Sequence, residues 1–180
     1  MAEKHGPWTI KGSRRVYQNR WIEVKEDQVI RPDGSDGDFT IVGMRPGVSV
    51  LALDAAGDVY LVGEFRYAIG RDSLEVVSGG IDDDEKPLDA ARRELREEAG
   101  IIAEAWSDLG MVDPFTSLIK SPAYLFLARN LSFTDAERED TEVISVIKMK
   151  LSEAVEMVME SQITHGPSCV LILKAFRHLS

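Results

Sequence analysis

Residues 79–101 read GGIDDDEKPLDAARRELREEAGI, a glycine turn feeding a charged helix, and the rest of the chain is best read outward from this stretch. Pro87 suits a first helical turn, where its missing N–H would be unsatisfied anyway, and Gly100 followed by Ile101 makes a helix stop with an apolar partner. Between them Leu88, Ala91, Leu95 and Ala99 recur at i, i+3, i+7 and i+11, so one face carries an apolar stripe for a core. The other faces are densely charged. Just upstream, Ser78, Gly79 and Gly80 allow the backbone to turn sharply and to approach a ligand closely, and Leu74 to Val77 before them reads as a short strand.

Glu94, Glu97 and Glu98 lie within two turns at spacings that make them neighbours on the helix surface. A like-charge pair at about 4 Å costs on the order of 4 kcal/mol at an effective dielectric near 20, so something must offset the repulsion. Arg92, Arg93 and Arg96, with water, would make a solvated face laced with ion pairs. Alternatively, the carboxylate oxygens gather hard divalent cations. The spacing alone leaves both open.

Further out, Val48 to Leu53 and Val59 to Phe65 are core strands joined by the polar turn Asp54 to Asp58. From Val16 to Gly43, short β-type runs alternate around Pro32, Asp33 and Gly34, which predicts an antiparallel hairpin or meander. Downstream, Ala123 to Ala128 and Val143 to Met149 read as strands. Ser152 is placed to N-cap a helix through about Glu160, and Pro167 opens a final helical run. Interleaved strands and helices predict an α/β (α+β) fold. No repeat, low-complexity tract or long linker divides the chain, and residues 1–45 are expected to form a β-rich extension to a main domain of residues 46–180.

The 180 residues suffice for one core without staples. Lys plus Arg at 21 against Asp plus Glu at 31 gives 21 − 31 = −10, a field that repels nucleic acids and anionic membranes and leaves any phosphate substrate in need of cationic help. A hydrophobic share of 44% with 29% charged residues, and a mean hydropathy of −0.14, are those of a globular chain. No apolar run approaches membrane-spanning length, the N-terminus lacks a secretory signal, and Cys169 is the lone cysteine. A reducing cytoplasm is the expected compartment.

The central segment resembles the Nudix box, G-x5-E-x7-R-E-U-x-E-E-x-G-U with U apolar, through Gly79, Glu85, Arg93, Glu94, Leu95, Glu97, Glu98, Gly100 and Ile101. Every fixed position is met, which is far more specific than a lone glycine motif. The resemblance implies a mixed β-sheet sandwiched between helices, with an N-terminal antiparallel β extension, and hydrolysis of a nucleoside diphosphate derivative with Mg²⁺ or Mn²⁺. It assigns the metal ions to Glu94 and Glu98, with Glu97 directly or through water, and to the backbone carbonyl of Ser78. Arg93 would then orient the carboxylates, and Glu85 would close the loop against the helix. Many relatives acting on ADP-ribose-type substrates take the general base from a glutamate in the loop after a Ser-Pro-Gly segment. Here residues 110–122 (GMVDPFTSLIKSP) hold Asp113 and no glutamate; other relatives draw the base from a later loop, which in this chain corresponds to TDAEREDTEVISV and would supply Glu139 or Glu142, residues that equally suit a plain acidic loop.

Outside the box, three segments resemble the branch of the family that hydrolyses ADP-ribose and nucleoside diphosphate sugars. VYQNRWIEVKEDQVIRPDG is similar to an extension that swaps between subunits of a homodimer, and its Trp21 would stack on a base. LVGEFRYAIGRDSLEVVSGG supplies Arg66 for phosphate or ribose contacts and Glu75 for a metal or substrate contact, while Glu64 stands where relatives commonly have glutamine. SPAYLFLARNL follows the variable loop. Trp21, Tyr67 and Phe115 equally suit core or interface packing. The implied reaction gives a nucleoside monophosphate and a sugar phosphate. Its alternatives are hydrolysis of dinucleotides or nucleoside triphosphates, and a catalytically silent nucleotide-binding domain.

Overall fold

Alternation of apolar side chains along Val48 to Leu53 sends successive residues to opposite faces of a strand, and the computed structural model, which describes residues 2–137 and 143–179, covers both faces. In chain order the elements begin with β1 (Glu3–His5), β2 (Trp8–Gln18), β3 (Ile22–Ile30), β4 (Asp36–Met44), β5 (Gly47–Leu53), β6 (Asp58–Arg66), β7 (Arg71–Glu75) and β8 (Val77–Gly80). There follow α1 (Pro87–Ala99), β9 (Ile101–Val112), β10 (Ile119–Lys120), β11 (Ala123–Phe133), β12 (Ser145–Lys150), α2 (Leu151–Met159) and α3 (Gly166–Leu179). The chain divides into two compact units, one of Met1–Arg45 with Asp113–Pro122, the other of Pro46–Val112 with Ala123–Ser180.

The first unit is a five-stranded sheet in the order β1-β2-β3-β4-β10, antiparallel except for the parallel β4–β10 pair. Ion pairs cross its β2–β3 ladder, Arg14 to Glu26 and Arg15 to Glu23, each at 2.7 Å. Among its described residues only Val29 and Asp27 are buried. The apolar side chains of Trp8, Ile10, Phe39 and Ile41 line an open hollow of about 870 Å³, with the Trp8 and Phe39 rings edge to face at 5.6 Å.

The second unit is a seven-stranded mixed sheet. β11 runs parallel to β5 along one edge and pairs antiparallel with β9 on its other side. Along the opposite edge of β5, β8 pairs with its first half and β6 with its last residues, while β6 pairs with β12 over Asp58 to Gly63 and with β7 over Val62 to Arg66. Val48, Val50, Ala52, Phe126 and Ala128 pack on one side with Ala90, Ala91 and Leu95 of α1. Leu51, Leu53, Leu125 and Leu127 pack on the other with Leu151 and Ala154 of α2 and Leu171, Ile172 and Ala175 of α3. The mixed sheet is therefore sandwiched between helices.

α1 begins at Pro87 and ends at Gly100, whose left-handed backbone (φ 64°) returns its N–H to the carbonyls of Arg96 and Leu95. Two local expectations are corrected. Ser152 is not an N-cap, because Lys150, the last residue of β12, holds that position with extended backbone, and the tertiary bond from Leu151 N–H to the Gly57 carbonyl (3.1 Å) ties down the helix start. Leu74 to Val77 is not one strand, because the ladder changes partner at Val76, from β6 to β5. Beyond the Gly100 stop the chain enters the long β9 directly, a strand the sequence pattern does not announce. No described helix is long and apolar enough to cross a membrane.

Candidate active site

β8 delivers Ser78 and Gly79 beneath α1, and the Glu94 carboxylate lies where a β-carbon of residue 79 would sit, so any side chain there would push that carboxylate aside. Gly100 is held as tightly, against the Thr134 carbonyl, so both ends of the segment fit closely. Around this loop Arg93 is the central donor. Its Nε and Nη2 donate to the two oxygens of Glu85 (3.0 and 2.9 Å), Nη2 also donates to the Gly80 carbonyl (2.9 Å), and Nη1 donates to Glu94 (2.8 Å) and Glu97 (3.2 Å). A guanidinium has five N–H groups, and these five bonds use them all. Its hydrogen bonds to Glu85 above all raise Arg93 further beyond its ordinary value, and in return hold the Glu85 carboxyl below the glutamate range. Arg93 thereby ties the loop to the helix and gathers two acidic side chains.

Glu98 is buried, although it is charged. It follows Ala91 and Leu95 on the buried stripe of α1, a position where an amphipathic helix ordinarily places an apolar residue. A carboxylate removed from water at this position needs compensation, which marks the face as built for charge.

A second cluster adjoins through Arg66, on which the Glu98 charge acts. Arg66 Nε and Nη2 donate to the two Glu75 oxygens (3.1 and 2.8 Å), and Nη1 pairs with Glu64 (2.8 Å). Burial alone would raise the Glu75 carboxyl, but the Arg66 guanidinium, His165 and the Ser73 hydroxyl together bring it below its ordinary value. His165 Nδ1 lies 3.3 Å from Glu75 and 2.8 Å from Ser168 Oγ. Ser78 Oγ donates to the Val76 carbonyl (3.1 Å) and lies 3.0 Å from Ser49 Oγ. Neither His165, Ser168 nor Ser49 stands out in the sequence, because they reach this place only through the sheet register and the connection between α2 and α3.

The structure thus brings Ser78, Gly79, Glu85, Arg93, Glu94, Glu97, Glu98, Arg66 and Glu75 together within the second unit. Leu95 and Ile101 are core residues beneath them. Trp21 lies in the first unit at the β2–β3 turn, 59% exposed, with Arg20 stacked on its ring at 4.4 Å. Tyr67 and Phe115 are exposed too, so none of the three aromatics is core. Glu139 and Glu142 lie outside the described residues. Asp113 belongs to the first unit.

The donors suit a hard divalent cation, because they are carboxylate and backbone oxygens, with Glu94 lying directly against the Gly79 backbone. Among the described residues, no three His, Cys, Asp or Glu side chains converge closely enough to enclose such an ion. In this arrangement Glu94 and Glu97 are both hydrogen-bonded to Arg93 Nη1. The donor chemistry fits, and binding would draw these carboxylates from the guanidinium.

A mixed sheet between helices, with a glycine loop folded onto a glutamate-rich helix, defines a hydrolase class built on carboxylates. The family model described as NUDIX domain matches residues 43–166, and the chain belongs to the Nudix family, whose hydrolases use divalent metal ions. Residues 8–42 match a second model, the nucleoside diphosphate sugar hydrolase N-terminal domain. The chain is 26% identical over 151 residues to an ADP-ribose pyrophosphatase of Bacillus subtilis (83% of this chain, 82% of the relative). It is 28% identical over 170 residues to an ADP-ribose pyrophosphatase of Mycobacterium tuberculosis (92% and 81%). A crystal structure of an ADP compounds hydrolase superimposes with a TM-score of 0.84 at 19% identity, covering 98% of this chain and 96% of that one.

Proposed function

We propose that this chain hydrolyses the pyrophosphate bond of ADP-ribose or a related nucleoside diphosphate sugar, with Mg²⁺ or Mn²⁺, releasing a nucleoside monophosphate and a sugar phosphate. The observation that carries the reading is the complete box folded as one site, with Glu94 seated on Gly79 and the Arg66–Glu75 pair within the electrostatic reach of Glu98. Names of the relatives and the match of residues 8–42 support the substrate class.

Glu94, Glu98 and the Ser78 carbonyl, with Glu97, are the groups to hold the metal ions. Divalent ions bound there supply charge neutralisation of the pyrophosphate oxygens and polarisation of phosphorus. Arg93 and Glu85 keep the loop and helix in one arrangement. Arg66 has committed three of its five N–H groups, and the remaining two are available to a phosphate or ribose oxygen. Trp21 offers an exposed ring for base stacking, and Glu139 or Glu142 takes the water proton as general base. A homodimer is the assembly that would cover the open apolar face of the first unit, and the cytoplasm is the compartment in which a chain with a lone cysteine works.

The deciding experiment is product analysis after incubation with Mg²⁺ and a panel of ADP-ribose, other nucleotide sugars, dinucleotides and nucleoside triphosphates, with and without EDTA. Metal-dependent release of nucleoside monophosphate plus sugar phosphate is expected. Pyrophosphate release from triphosphates, or two nucleotides from a dinucleotide, would move the substrate class. Nucleotide binding without cleavage would overturn the enzyme reading, and the loop of residues 110–122, which lacks a glutamate, would then be the first place to look for the cause.

A further inference from the structure

We propose that His165 is a positioning residue for the Arg66–Glu75 pair, reaching it from the connection between α2 and α3. The inference rests on the reading of Arg66 as a substrate contact. Glu75 is 4% exposed, and an ionised carboxylate buried so deeply is tolerated only when its lone pairs are met. Arg66 takes one lone pair on each oxygen, and His165 Nδ1 addresses Oε2 from another direction at 3.3 Å.

The same Nδ1 is 2.8 Å from Ser168 Oγ, and that hydroxyl, fully buried, also accepts the Val76 N–H at 3.0 Å. Val76 is the residue between β7 and β8, where the strand ladder changes partner and leaves an N–H unpaired by the sheet. One residue before His165, Thr164 Oγ1 accepts from Arg71 Nη2 at 3.0 Å at the start of β7. The connection, with Ser168 in the first turn of α3, therefore clasps β7 at its first residue, its last residue and the break beyond it, and Ile163, 1% exposed, anchors the clasp in the core.

The proton on the ring follows from its surroundings. A lone pair on Nδ1 would face the Glu75 carboxylate and be repelled, so the proton belongs on Nδ1, donating between Glu75 and Ser168. Burial draws His165 below the usual histidine value, against the pull of Glu75, and so favours a neutral ring with its lone pair on Nε2. Held in this way, Glu75 keeps the Arg66 guanidinium, and with it the two uncommitted N–H groups, in one orientation.

Kinetics and ring spectroscopy test this separately. With ADP-ribose as probe at saturating Mg²⁺, His165→Ala is expected to raise KM by roughly five- to tenfold, the scale of one lost hydrogen bond, and to leave kcat within about twofold. His165→Asn, whose amide can reach the Nδ1 position, should recover most of the loss. A folded His165→Ala protein with wild-type KM would overturn the proposal, as would a fall in kcat and Tm that Asn does not rescue. Substrate-free ¹H–¹⁵N spectra of the ring should show the proton on Nδ1 and a shift of that signal in Glu75→Gln. A proton on Nε2, indifferent to Glu75→Gln, would equally reject the clasp. If the wild type cleaves no diphosphate sugar, the substrate reading fails, and the spectra still decide the His165 contact.

Discussion

Gly79 shows how one absent side chain positions several present ones. Its role is steric, because what excludes a β-carbon is the Glu94 carboxylate lying against the loop. Glu94 shares Arg93 with Glu97 and Glu85, so a methyl group at residue 79 would displace one carboxylate and disturb the partners of two more. Gly79→Ala is accordingly expected to lower kcat/KM by at least tenfold, the price of misplacing groups around a reacting centre by about an ångström. The fold should survive, since the atoms nearest to an added methyl group are those of a charged side chain that can move. Steady-state kinetics beside a thermal melt measures both. Near-wild-type turnover in a folded variant would show that the position of Glu94 seen here does not matter to catalysis.

Among the elements, the hairpin from β5 to β6 is closed by one carboxylate. Asp54 Oδ1 accepts the N–H groups of Ala56 and Asp58 (2.9 and 3.0 Å), and Oδ2 pairs with Lys148 of β12 at 2.8 Å. The Lys148 hydrogen bond foremost, then the Asp58 and Ala56 N–H groups, lower Asp54 to about 2. A folded-state value below the unfolded one means that the charged form stabilises the fold. This contribution is complete above about pH 4 and is lost as pH falls through about 2. Asp54→Asn should therefore lower Tm by roughly 2–4 °C at pH 7, with the gap to wild type closing as pH is taken from 4 towards 2. A gap that stays constant with pH would assign the effect to the turn rather than to the charge. Local chemistry of this kind is what the sequence exposes: Pro87 and Gly100 mark α1, Gly57 marks the turn, and the Glu-rich repeat marks the site. What it hides is set by distant partners. Val76 ends a strand because two ladders compete for its neighbours, Ser152 loses the cap to a strand that runs straight into the helix, and His165 meets Glu75 across a separation no local pattern encodes.

For the whole molecule, the unequal burial of its two units is the feature with the largest consequence. The second unit buries apolar residues on both faces of its sheet, whereas the first has Val29 and Asp27 as its buried residues among those described and leaves Trp8, Ile10, Phe39 and Ile41 around an open hollow. A single sheet with one apolar face needs that face covered, and an apolar hollow left open is the place for a partner. A net charge of −10 opposes association through any surface that carries it, so self-association is favoured only where apolar contact outweighs the repulsion, and the hollow is such a place. The proposed homodimer accordingly predicts elution and scattering mass at twice the 20.0 kDa chain mass. Phe39→Glu puts a charge at the rim of the hollow on a residue that is 37% exposed, so the folded chain should tolerate it while the dimer dissociates by at least tenfold at micromolar concentration. Light scattering across a dilution series reads this directly. A wild type that remains at 20.0 kDa at every concentration removes the dimer, and a Phe39→Glu protein that stays dimeric places the contact on another face.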